Sequence, residues 1–119
     1  MATITPTVTK AKDNPKRDAY IVTWANMGNA DQGLPVSLVG AADRTVQIGG
    51  TFGAATVVLE GSLDGTNYIT LTDPQGNAIS KTSAALEAVS EIVNFIRPST
   101  SGGTGTSVTV TMLFRGMVE

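Results

Sequence analysis

The chain has no cysteine and no histidine. A disulfide framework, a thiolate nucleophile, Ser-His-Asp and Cys-His pairs and the usual zinc ligand sets are therefore all excluded. Charge is also scarce, at 15% of residues against the usual quarter, and the formal net charge is −2. A chain without surplus Lys and Arg is not expected to have nucleic acid as its principal partner, because phosphate contacts need that surplus. No apolar run approaches the ~20 residues of a membrane helix or forms a signal-peptide core, so neither is expected. Aromatic residues are only 5%, yet 41% of the chain is hydrophobic, too much for a disordered segment. With 119 residues, the expectation is a single domain.

Threonine, valine and isoleucine together supply 36 of those residues, and their branched side chains favour extended backbone. Thirteen glycines and five prolines punctuate the chain at short intervals, as in short strands joined by tight turns. In Ser107–Phe114, Val108, Val110, Met112 and Phe114 share one face, opposite Thr109 and Thr111, which predicts a half-buried strand. Tyr20, Val22 and Trp24 alternate with Ile21, Thr23 and Ala25, and Val46 alternates with Ile48 before Gly49-Gly50. Leu34, Val36 and Leu38 form a further strand, which Pro35 places at an edge or whose first residues it places outside the sheet. Val57, Leu59 and Leu63 are assigned to one face of Thr56–Leu63, followed by an Asp64-Gly65-Thr66-Asn67 turn into Tyr68–Thr72 and a second turn at Asp73-Pro74-Gln75-Gly76. Leu86, Val89 and Val93 have helical spacing, so a short helical turn capped by Ser83 is assigned to Ala84–Val89, then a strand over Glu91–Arg97 that Pro98 ends. About eight strands result, with no room for helical crossovers. The predicted fold is all-β: an antiparallel two-sheet sandwich, jelly-roll-like, with at most one helical turn.

Residues 1–18 differ in charge from the rest. They hold Lys10, Lys12, Lys16 and Arg17 against two acidic residues, a net +2, whereas residues 19–119 sum to −4. The chain is accordingly divided into an extended N-terminal arm, 1–18, in which Met1–Thr9 alternates Thr with Ile4 and Val8 as an edge strand would, and a β-sandwich domain, 19–119. Those four basic side chains are the candidates for contact with an acidic partner or a neighbouring copy.

No constellation points to catalysis, a metal or a cofactor. Asp64 and Asp73 sit in Asp-Gly and Asp-Pro turns, where short carboxylates bond the backbone two residues on. The Asp64 loop lacks the closing Glu of a calcium loop. Gly102-Gly103-Thr104-Gly105 precedes a strand, not a helix, and reads as a hairpin loop and not as a phosphate cradle. A carboxylate-only enzyme would have to draw on Glu60, Asp64, Asp73, Glu87 and Glu91. Trp24 and Tyr68 are assigned to the core, with sugar stacking as the other use of such rings.

The stretch Val57-Val58-Leu59-Glu60-Gly61-Ser62-Leu63-Asp64-Gly65-Thr66-Asn67-Tyr68-Ile69-Thr70-Leu71 resembles hairpins of two groups. One is the discoidin-like sugar-binding sandwiches. The other is the decoration, or cement, proteins of tailed-bacteriophage heads, and here the likeness extends through Asp73-Pro74-Gln75-Gly76-Asn77, Phe95-Ile96-Arg97-Pro98, Gly102–Ser107 and Val108-Thr109-Val110-Thr111, about residues 46–116. The second resemblance implies a non-enzymatic virion protein with a jelly-roll or similar β-fold. It would assemble as a homo-oligomer, a dimer or trimer, on the capsid exterior and bind the major capsid protein. The first implies a carbohydrate-binding module on a virion or cell surface, with Asp64, Asn67 and Tyr68 as the glycan contacts.

Overall fold

The computed structural model describes residues 2–10, 19–37 and 41–116. Twelve strands lie within them: β1 Thr3–Ile4, β2 Thr7–Lys10, β3 Ala19–Met27, β4 Gln32–Gly33, β5 Val36–Ser37, β6 Ala41–Thr51, β7 Thr56–Ser62, β8 Ile69–Thr70, β9 Ser80–Lys81, β10 Ala85–Ala88, β11 Phe95–Ser101 and β12 Ser107–Gly116. Five form one antiparallel sheet in the order β10-β6-β12-β3-β2. The other seven form a second sheet in the order β1-β4-β11-β7-β8, with β5 beside β11 and β9 beside β7. In this second sheet β1 runs parallel to β4. The all-β sandwich expected from the sequence is the fold observed.

The core lies between the sheets and follows the alternation of the long strands. Val22 and Trp24 of β3, Val46 and Ile48 of β6, and Val108, Val110 and Met112 of β12 face Val57 and Leu59 of β7, Ile96 of β11, and Leu71 and Ile79. Simple alternation would turn Met27 outward. A register shift between Val108 and Val110, opposite a left-handed Asn26 (φ 57°), inserts the extra residue that returns Met27 to the interior. Phe114 packs against the margin of this core with its ring 5.7 Å from that of Tyr20.

Several expectations are corrected. The helical turn at Ala84–Val89 is strand β10, because pairing with β6 from Ala85↔Ile48 to Ala88↔Thr45 overrides the helical spacing. The strand assigned to Glu91–Arg97 begins instead at Phe95 and passes through Pro98 to Ser101. Pro98 is opposite Leu59, whose own N–H bonds Ile79 and whose carbonyl accepts from Leu71, both on the far side. Pro98 therefore occupies a non-hydrogen-bonded pair with β7, and its missing N–H falls toward the gap between β4 and β5, where no ladder bond is needed. Gly33 admits the ring: a Cβ there would lie 2.5 Å from Pro98 Cδ and 2.8 Å from Trp24 Cδ1. The strand expected over Leu34–Leu38 is reduced to β5 on one side of Pro35 and β4 before Leu34, and residues 38–40 lie outside the described residues. These fragments raise the strand count above the expected eight.

The segment read as an arm begins inside the fold. Thr3–Ile4 pairs with β4 in one sheet and Thr7–Lys10 with β3 in the other. Lys12, Lys16 and Arg17 lie outside the described residues, as does the side chain of Lys10.

Candidate functional site

The turn leaving β7 is built around two short polar side chains. Ser62 is buried, and its hydroxyl donates to Asp64 Oδ1 (2.8 Å) while accepting the N–H groups of Asp64 (3.2 Å) and Gly65 (2.9 Å). Asp64 Oδ1 also accepts the N–H groups of Thr66 (2.8 Å) and Asn67 (2.9 Å), and Asp64 Oδ2 accepts Asn67 Nδ2 (2.8 Å). These donors, led by the backbone N–H groups of Asn67 and Thr66, hold the Asp64 carboxyl well below the usual carboxylate range. Gly65 takes a left-handed φ of 80°, and a Cβ there would lie 3.1 Å from the Phe95 ring, so the tip sits close to β11. Asp64 and Asn67, two of the three glycan candidates, thus bond each other and the loop backbone.

Tyr68, the third, is not in the core. It is half-buried at the surface with the Arg97 guanidinium 3.7 Å over its ring, and Arg97 Nε donates to Glu60 Oε1 at 3.0 Å. One ring face is thereby covered by a cation–π contact. Trp24 is fully buried as expected, and its indole N–H donates to the Leu34 carbonyl at 2.9 Å.

The assignment of Leu63 to the inward face is corrected. Gly61 holds that inward position, where a Cβ would lie 2.7 Å from Leu71 and 2.8 Å from Val93. Leu63, past the end of β7, is 72% exposed, and Ile69 on β8 is 74% exposed. Together with Gly61, Thr70, Glu91 and Val93 they border an open hollow of about 390 Å³. Glu91 fixes its far wall by accepting the Thr72 N–H (2.8 Å) and the Thr72 hydroxyl. Partial desolvation pushes the Glu91 carboxyl up, but the Thr72 bonds, its own N–H and the charge of Arg44 outweigh this and leave it below its ordinary value. Burial lowers the pKa of Arg44, against the attraction of Glu91; its guanidinium reaches the Val93 carbonyl at 3.4 Å, and its Nε has no partner among the described residues.

The other acidic candidates are also engaged. Asp73 is buried and accepts the N–H groups of Gln75 and Asn77, each at 3.0 Å, as its turn chemistry predicts. Glu87 pairs with Lys81 at 2.9 Å and Glu60 with Arg97. The Gly102–Gly105 segment, expected to be a hairpin loop, is instead the connection that carries the chain from β11 in one sheet to β12 in the other, with positive φ at Gly102, Gly103 and Gly105. Sequence reasoning missed the Glu91–Thr72 tether and the exposed Leu63–Ile69 pair. The second had one visible signal, a leucine directly before an Asp-Gly turn.

No family model and no curated protein matches the chain. Among solved structures, the crystal structure of SPBc2 prophage-derived protein YomS is similar, with a TM-score of 0.61 at 13% identity, covering 81% of this chain and 93% of that one. The likeness is one of fold.

Proposed function

We propose that the protein is a structural virion component of a tailed bacteriophage that binds the outer surface of the capsid, contacts the major capsid protein and stabilises the shell by bridging neighbouring capsomers as a homo-oligomer. The observation that carries this reading is the Ser62–Tyr68 turn. Its polar groups hold its own shape, and beside the exposed Asp64, Thr66 and Asn67 it presents an apolar pair, Leu63 and Ile69, on a braced tip. Such a tip suits a protein surface that buries it. The five carboxylates available for acid chemistry are committed to hydroxyls, amides or cations of the fold, which supports a non-enzymatic role. The sandwich shared with a prophage-derived protein supports the same setting. Lys10, Lys12, Lys16 and Arg17 are the proposed basic contacts to acidic shell residues.

A protein that binds the assembled shell better than free subunits stabilises it by RT ln(1 + [L]/Kd), about 4 kcal/mol per site at a thousandfold excess over Kd. Bridging adds effective concentration, so modest single contacts hold firmly. Burying each apolar side chain at the tip is worth about 1.5 kcal/mol, so the double variant Leu63→Ser/Ile69→Ser should weaken shell binding roughly 100-fold. Co-sedimentation with intact phage heads tests this. Wild-type protein should pellet with heads and the double variant should stay largely in solution; wild-type protein remaining in the supernatant would reject the reading.

A further inference from the structure

The outer faces of the two sheets differ in kind. The seven-stranded sheet presents the Glu60–Arg97 ion pair beside Tyr68. Cross-strand register sets two rows on the outside of the five-stranded sheet: one runs from Leu86 through Gln47 and Thr111 to Thr23, and the next passes through Leu113 and Ile21. Neither row contains a charged residue from β10 to β2. Leu86 is 67% exposed, and Leu113 is also exposed. Leu113 and Thr45 line both of two neighbouring hollows, of about 270 and 460 Å³. Among the described residues, Arg115 and Asp43 are the nearest charges on this side, and they are paired with each other at the rim.

We propose that this face is where two copies of the chain associate, packing the same surface of each about a twofold axis. Two features favour a second copy as the occupant. A twofold contact sets every surface group against its own equivalent region, which penalises net charge of either sign, and among the described residues this face carries none. Its size also fits: five strands ~4.8 Å apart and about seven residues long at ~3.3 Å per residue project to ~550 Å², and side-chain relief raises the accessible area toward the ~800 Å² per partner of a stable interface. Two such sheets stack ~10 Å apart as in any sandwich, with Leu86 of each copy entering the hollow beside Leu113 of the other. An uncharged centre, with Leu113 and Ile21 set among threonines, and a paired-charge rim match the depletion of charge at the core of a protein interface.

This assigns a surface to the homo-oligomer of the preceding reading, but it is tested without capsids, so the two fail separately. The full chain is examined by sedimentation equilibrium across the micromolar range, with circular dichroism as the check on folding. Wild-type protein should have twice the mass of the chain. Leu86→Glu and Thr111→Lys, each at an outward position, should raise the dimer dissociation constant about a hundredfold or more, whereas Ser99→Glu on the other sheet should leave it unchanged. A wild-type monomer throughout, a trimer, or a dimer that survives both substitutions while folded would overturn the assignment.

Discussion

Replacing Gly33 by alanine tests the packing that lets a proline occupy the middle of β11. The φ of Gly33 is not in the left-handed region, so the substitution carries no backbone penalty and by itself would stabilise by about 0.4–1 kcal/mol through the unfolded chain. Sterics oppose that gain. The new methyl would lie 2.5 Å from Pro98 Cδ, 2.8 Å from Pro98 Cγ and 2.8 Å from Trp24 Cδ1, and both rings are held, one in a strand and one in the core. Overpacking of this kind costs about 1–3 kcal/mol, and displacing the indole from the Leu34 carbonyl adds about 1 kcal/mol. The expected net loss is about 2 kcal/mol, or roughly 6–12 °C in Tm for a domain of this size. Thermal and urea unfolding followed by Trp24 fluorescence measure it. Two of the three close contacts are to Pro98, so Gly33→Ala combined with Pro98→Ala should recover at least about 1 kcal/mol in a double-mutant cycle. A Gly33→Ala protein as stable as wild type, or a loss that Pro98→Ala leaves untouched, would refute the reasoning.

Three further outcomes are expected. Thr100 is buried, donates to the Gly28 carbonyl and accepts the Asp31 N–H, so Thr100→Val should cost about 1–3 kcal/mol in urea unfolding while Thr100→Ser retains most of the stability. Glu91→Ala strips the Thr72 N–H and hydroxyl of their acceptor and removes the charge facing Arg44, for a loss of about 1–3 kcal/mol, whereas Arg44→Met, which removes a buried cation with an orphaned Nε, should cost less than Glu91→Ala or stabilise. The folded pKa of Asp64 is depressed, so its contribution is present above the unfolded carboxyl pKa and is lost only as pH falls through the lower folded value. An NMR titration should therefore show its carboxyl carbon still ionised at pH 4, with the Thr66 and Asn67 amides unmoved; titration at the ordinary value would contradict the turn geometry.

What was legible in the sequence was what period and turn chemistry encode. Val22, Trp24, Val46, Ile48, Val108, Val110 and Met112 share the faces that their alternation assigns, and the Asp64 and Asp73 turns form as their residue types dictate. What was not legible depended on distant partners. The Leu86 and Val89 spacing is helical in isolation, and only the edge offered by β6 makes Ala85–Ala88 a strand. Pro98 signals a strand end unless Leu59 turns its N–H and carbonyl away and Gly33 leaves room for the ring. Gly61 displaces Leu63 from the interior because Leu71 and Val93, ten and thirty-two residues on, already fill that space. The Ser62–Tyr68 turn forms where its residue types place it, but its outward chemistry is set by which polar atoms the loop consumes.

The most direct test is electron cryomicroscopy of tailed-phage heads lacking the protein, imaged before and after incubation with it. Ordered extra density on the outer surface, with the Leu63–Ile69 tip seated on the shell and each copy touching more than one capsomer, is the predicted result. Heads that gain no external density at saturating protein would contradict the account.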